Sequence, residues 1–73
     1  MELYFDVLGG LHPFPFKVPE HTIFNVLREQ DKLEQIELLR DCAEEAYGHT
    51  KSKPLMIIIE AMLANEHITL AAL

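Results

Sequence analysis

The sequence predicts a small α+β domain: an N-terminal strand pair, then two or three helices, and a possible short C-terminal strand. Three patterns predict it. Apolar side chains alternate over residues 3–8 and again over 14–18, they recur at helical spacing from 20 to 47, and they are nearly continuous from 55 to 64. The chain has 73 residues, which is the size of one domain, so residues 1–73 are treated as a single unit.

The first strand is predicted over residues 3–8, where every second side chain is apolar and points to one face. A turn is predicted at Gly9–Gly10. A second extended segment follows at 11–18, where a further alternating set lies at Phe14, Phe16 and Val18.

Two prolines in this second segment constrain how it pairs. A two-residue loop at Gly9–Gly10 places Pro13 and Pro15 at hydrogen-bonded positions, where they lack the N–H that the ladder needs. A three-residue loop restores the bonding but sets Asp6 opposite Phe14. The sequence therefore leaves two interpretations open for 11–18, an edge strand after an irregular turn or an extended loop.

Two helices are predicted next, at about 20–29 and 32–47, with a break near Gln30–Asp31. One kinked helix is the alternative. Asp31 followed by Glu34 has the spacing of a capping box, which favours a new helix start there. Gly48 is expected to end the second helix.

Residues 49–53 are predicted to be a polar connection in which Ser52 caps a third helix. A helix is favoured over a strand for 55–64 because Pro54 suits a first turn, although the isoleucines at 57–59 favour a strand. This helix is apolar nearly all round, so it is either central or partly covered by a partner. Residues 67–73 are read as a short closing strand or a helical tail.

Composition limits the classes of function. Twelve acidic and six basic residues give a net charge of −6, which argues against phosphate contacts and so against nucleic acid. The single cysteine, Cys42, forms no internal disulfide and suits a reducing compartment. No basic signal-peptide region and no membrane-length apolar run is visible, so a cytoplasmic protein without membrane contact is expected.

An acidic ridge on the second predicted helix is the main candidate site. Its carboxylates lie at i,i+3 and i,i+4 spacings, at Glu34, Glu37, Asp41, Glu44 and Glu45. One interpretation is an ordinary solvated helix face. The other is a binding surface for a basic protein partner, because like charges at these spacings repel until such a partner relieves them.

Phe14 and Phe16 are the second candidate for partner binding. Pro15 between them lowers the cost of ordering an exposed segment, and both rings then act as anchors in pockets of a partner. The alternative places both rings in the core.

No catalytic or metal-binding motif is visible. The four histidines (12, 21, 49 and 67) lack ligand spacing with one another or with Cys42. Acidic neighbours of Cys42 disfavour its thiolate, and no carboxylate pair stands out for acid–base chemistry. We expect no catalytic residue, no metal and no cofactor, and therefore no enzymatic activity.

The opening residues Met1–Asp6 and the acidic helix from Asp31 to Glu45 together give the chain a resemblance to small acidic phage-encoded regulators that bind host bacterial RNA polymerase. The resemblance covers the whole chain and carries over no individual residue. It implies binding to the large polymerase subunits, inhibition of initiation through a loosened sigma factor and, for some members, antitermination.

Two further classes of function stay open. An antitoxin-like or secretion-chaperone-like interaction module would use the helix at 54–64 as a subunit interface. A helix-turn-helix arrangement of the three helices would bind DNA. Of these three classes we prefer the polymerase regulator. We expect the protein to be a monomer rather than a dimer.

Overall fold

The structure is a computed structural model, which describes the backbone throughout and the side chains of residues 1–48 and 53–73. The elements in chain order are β1 (Leu3–Val7), β2 (Gly10–Pro13), α1 (Glu20–Arg28), α2 (Lys32–Leu63) and β3 (Ile68–Ala72). The strands form one antiparallel sheet in the order β2-β1-β3. The predicted α+β class is confirmed, and of the two interpretations left open for 67–73 the structure has the strand.

The hairpin turn lies one residue earlier than Gly9–Gly10. Leu8 and Gly9 form the loop, with φ of 51° and 90°, and Val7 is paired with Gly10. Positive φ at both central residues is the geometry of a type I′ turn, whose twist matches that of the two strands. The Gly9 N–H also donates to Asp6 Oδ1 at 2.9 Å. The prediction missed this register because a leucine seldom adopts a left-handed conformation.

The earlier turn removes the conflict over the prolines. In this register Pro13 lies opposite Tyr4, at a non-hydrogen-bonded position that needs no N–H. The next ladder bond runs from the Phe14 N–H to the Leu3 carbonyl at 3.3 Å. β2 itself ends at Pro13, so the extended segment predicted for 11–18 is an edge strand only in its first part.

The helices α1 and α2 are separate, as predicted, rather than one kinked helix. Asp31 caps α2 by accepting from the Leu33 N–H at 2.9 Å. The other half of the predicted capping box is not supplied by Glu34, because Glu29 Oε1 accepts from the Asp31 N–H at 3.1 Å. Gln35 donates to the carbonyls of Val26 and Glu29, which fixes the end of α1 beside the start of α2.

Helix α2 is broken at Gly48, whose φ and ψ are 77° and 171°. The helix end predicted at Gly48 is therefore confirmed. Arg40 pairs with Glu60, 20 residues further on, although 20 residues of straight helix would separate them by about 30 Å. The parts of α2 before and after Gly48 therefore fold back toward each other. The polar connection predicted at 49–53 is wrong, because the backbone there is helical and Pro54 lies inside the helix rather than in its first turn. The predicted cap Ser52 is a side chain outside the described residues.

The core lies between one face of the sheet and the helices. Fully buried side chains come from every layer, namely Phe5 on β1, Ile23 and Val26 on α1, and Leu39, Ile59 and Leu63 on α2. Residues 55–63 are helical, as favoured over a strand. This helix is not central: Ile57 is 63% exposed and Ile58 is 55% exposed.

Candidate functional site

The predicted acidic ridge forms a continuous face on the first segment of α2. At about 100° per residue, its five carboxylates fall within an arc of about 100°. Four of them are exposed and Glu44 is half-buried, while Ile36, Leu39 and Ala43 on the opposite side are buried. The helix is therefore amphipathic, and the ridge points away from the core.

The two cations within the ridge segment, Lys32 and Arg40, both contact groups outside the ridge, and Arg40 also contacts Glu37 within it. Arg40 contacts Glu60 and lies 3.8 Å from Glu37, and the Glu60 carboxylate raises the pKa of the Arg40 guanidinium. Lys32 Nζ donates to the carbonyls of Asn65 at 2.7 Å and Ile68 at 3.2 Å. Glu37 forms an ion pair with Arg40. Within residues 1–48 and 53–73, no ion pair reaches Glu34, Asp41 or Glu45.

The two phenylalanines offered as anchors are packed against the domain. Phe16 is buried at 6% exposure, and Phe14 is half-buried, with its ring stacked on Phe5 at a centroid distance of 4.2 Å. Phe16 in turn meets the Tyr47 ring edge-on at 5.9 Å. The structure thus places Phe16 in the core, as the alternative interpretation expects, and leaves it little surface for a partner.

An open groove of about 520 Å³ runs along this aromatic cluster. Its walls come from the start of β1, from residues 13–18 and from Tyr47. The Tyr47 hydroxyl is 3.5 Å from the Pro15 carbonyl. Glu2 and Lys17 are the charged side chains among its lining residues.

A second surface, which we call the apolar face, lies on the segment 53–63. Its members are exposed and share one side of the helix and its C-cap, at Pro54, Ile57, Ile58, Ala61 and the capping residue Ala64. The spacing i, i+3, i+4, i+7, i+10 of these residues is readable in the sequence. The sequence left two interpretations for this helix, a central position or partial cover by a partner, and it did not indicate which side would be exposed, because both sides are apolar.

The groups considered for metal or nucleophilic chemistry remain apart. Cys42 is buried, and burial together with the Glu45 carboxylate raises the pKa of its thiol. That direction agrees with the predicted inert cysteine. Among the described residues, which exclude the side chain of His49, no cluster of three histidine, cysteine or acidic residues has the geometry of a metal site. In the same part of the chain, no helix is long and apolar enough to cross a membrane.

Comparisons of this chain with protein-family models, with curated proteins and with solved structures find no match. The two exposed surfaces of α2, the acidic ridge and the apolar face, are the candidate sites of this protein.

Proposed function

We propose that this protein is a non-enzymatic regulator that binds a basic protein surface through the acidic ridge. The observation that carries the proposal is the unbalanced charge of one exposed helix face. Five carboxylates share about 100° of arc, and three of them, Glu34, Asp41 and Glu45, are exposed and form no ion pair within residues 1–48 and 53–73. Like charges three and four residues apart destabilise a helix, and a cationic partner would reverse that penalty.

The way the ridge is held supports binding rather than simple solvation. Its helix is anchored at its start by the Asp31 cap and by the bonds from Gln35 to the end of α1. Buried residues fix the opposite side. The carboxylates therefore stand on a preorganised support, so binding would lose little backbone entropy. A concentrated charge of one sign also increases the rate of encounter with an oppositely charged partner.

Bacterial RNA polymerase is the first partner to test, because of the resemblance described above. Its large subunits hold nucleic acid on basic surfaces, to which an acidic ridge is complementary. On this proposal the bound protein inhibits initiation, and antitermination is a second activity to assay.

The test is titration of purified bacterial RNA polymerase with this protein and with two charge-reversed variants. The ridge variant carries Glu34→Lys, Asp41→Lys and Glu45→Lys, which spares Glu37 and its pair with Arg40. The control variant reverses Glu2, Glu20 and Glu66, which are exposed and lie outside α2. Both variants change the net charge equally, so only position distinguishes them.

The ridge variant should bind roughly tenfold or more weakly, and the control variant should remain close to the original protein. Binding should also weaken as salt rises from about 0.1 M to about 1 M, where the screening length falls from ~10 Å to ~3 Å. Equal losses in both variants would show that net charge, not the ridge, is responsible. Absence of any binding to the polymerase would remove that partner.

A second candidate function is an interaction module of the antitoxin-like or secretion-chaperone-like kind. Its supporting observation is the apolar face, where Ile57 and Ile58 stay 63% and 55% exposed. Contiguous exposed apolar surface of this kind is typical of protein contact sites. The double variant Ile57→Glu, Ile58→Glu should abolish binding of such a partner. If it leaves polymerase binding intact while the ridge variant does not, this candidate fails.

A further inference from the structure

The two edges of the sheet differ in whether they can accept another strand. β2 forms one edge and β3 the other. Residues at non-hydrogen-bonded positions of an edge strand point their N–H and C=O groups outward. On β2 one such position is Pro13, which has no N–H, so this edge is blocked. β3 contains no proline and no charged residue.

The register identifies which groups of β3 face outward. Glu2 and Leu73 exchange backbone hydrogen bonds at 2.7 and 3.0 Å, so they form a hydrogen-bonded pair. By alternation Tyr4 with Ala71 is also such a pair, while Leu70 and Ala72 point their N–H and C=O groups away from β1. Within the part of the chain that the structure describes, no hydrogen bond reaches these outward groups.

The start of β3 is closed. The Ile68 carbonyl accepts from Lys32 Nζ at 3.2 Å, and the Ile68 N–H donates to the Asn65 carbonyl at 3.2 Å. Both outward groups of Ile68 are therefore satisfied within the chain. An added strand would have hydrogen-bonding groups to meet only at Leu70 and Ala72, which limits its register.

We propose that β3 pairs antiparallel with β3 of a second copy of this chain, so that a two-fold axis passes beside Ala71. In this register Leu70 of each copy exchanges hydrogen bonds with Ala72 of the other, and all the open groups are satisfied. Lys32 and Ile68 of both copies stay outside the pairing. The two sheets join as one of six strands, in the order β2-β1-β3-β3-β1-β2.

A second copy suits this edge better than an unrelated strand for two reasons. Each chain carries a charge of −6, yet residues 69–73 are uncharged, so self-pairing sets no like charges directly opposite. The exposed side chains of Thr69 and Leu73 face each other across the pair, which covers Leu73, 70% exposed in the isolated chain. Because the Pro13 edge is blocked, the assembly closes at two copies instead of growing into a fibre.

The pairing does not depend on the acidic ridge, and it differs from the monomer expected from the sequence. It also differs from association through the apolar face, where no hydrogen-bonding pattern specifies what covers it. Variants of Ala71 and of Ile58 therefore separate the two surfaces.

The test is sedimentation velocity over a concentration series, followed by the same measurement on charge variants. The original protein should show a reversible monomer–dimer equilibrium. Ala71→Lys and Ala71→Glu each place two like charges face to face at the two-fold axis, so each should be monomeric. An equimolar mixture of the two should form a heterodimer, which native mass spectrometry identifies by its mass.

Ala72→Pro removes an outward N–H without breaking a bond to β1, so it should abolish the dimer and keep the monomer fold. Ala71→Pro is the matched control, because it removes an N–H bonded to β1 and should unfold the sheet. A protein that stays monomeric throughout, a dimer that survives Ala71→Lys, a dimer lost only in Ile58→Glu, or failure of the mixture to form a heterodimer would each overturn the proposal.

Discussion

At the scale of single residues, backbone conformations that side chains rarely adopt decide where this chain turns. Leu8 has a φ of 51° and is 83% exposed, so its side chain gains little from packing there. Gly48 lies in a region of conformational space that only glycine occupies readily. The glycine at 48 predicted the helix end from the sequence. The leucine at 8 gave no sign of the hairpin turn, because leucine is rare in turns of this type.

Leu8→Asn should stabilise the protein by about 0.5–1 kcal/mol. Asparagine tolerates the left-handed conformation, and Asn-Gly is the preferred pair for a type I′ turn. Denaturant unfolding measures the change. The control is Leu11→Asn, because Leu11 is also an exposed leucine but lies in β2 with ordinary strand geometry. Equal changes in unfolding free energy in both variants would show that Leu8 is not strained by its left-handed conformation.

Gly48→Ala should destabilise the protein by about 1–3 kcal/mol, the usual cost of forcing a side chain into such a conformation. The space around Gly48 is open, with nothing within 4 Å of an added Cβ, so the loss would come from the backbone alone. Thermal unfolding followed by circular dichroism would detect it. Unchanged stability would mean that the chain does not turn at this residue.

Cys42 should react slowly with a thiol reagent in the native protein and rapidly in denaturant, because it is 8% exposed.

Burial and the Glu45 carboxylate raise the pKa of the Cys42 thiol, so the unfolded chain loses the thiol proton first as the pH rises. Stability should therefore decrease through the alkaline range, beginning near the ordinary thiol pKa of about 8.5. Cys42→Ala should remove that part of the pH dependence, and an identical profile in this variant would refute the assignment.

At the scale of elements, helix boundaries were easier to predict than strand register. Pro19, Asp31 and Gly48 mark helix ends through local chemistry that acts within a few residues. Strand register depends on which residues form the turn. Moving the turn from Gly9–Gly10 to Leu8–Gly9 changed every residue pair of the hairpin. The sequence also did not predict which side of the helix at 55–63 packs against the core, because apolar residues on both sides leave no helical periodicity.

Asp31→Ala should lower stability by about 1 kcal/mol through loss of the cap on α2. Asp41→Ala is the matched control, since Asp41 is exposed in the middle of the same helix and caps nothing. Its effect should stay within about 0.5 kcal/mol of zero. Urea unfolding compares the two, and equal effects would show that the Leu33 N–H does not need Asp31.

At the scale of the whole molecule, a few buried contacts between the sheet and the three helical segments hold the fold together. The acidic ridge could be located from the sequence because charge patterning along one helix needs only the helical repeat. For Phe16 the sequence left the core and a partner surface as two open interpretations, and the open edge at β3 was not predicted, because both depend on contacts between residues far apart in the chain.

Ile59→Ala and Ile58→Ala test this arrangement with one chemical change at two adjacent positions. Ile59 is fully buried against the core, so its truncation should cost about 2–5 kcal/mol. Ile58 is 55% exposed, so its truncation should cost much less, about 0.5 kcal/mol or below. Comparable losses would mean that the helix is rotated or that the apolar face is already covered.

The central strand of the sheet is β1, and its neighbours come from adjacent and from distant parts of the chain. β2 follows within a few residues, but β3 lies about 60 residues downstream. While a ribosome is still synthesising the chain, β1 has a partner on one side only. The nascent protein must therefore keep one flank of Leu3–Val7 open until translation has passed Ala72, and during that interval chaperones or proteases have their best access to it.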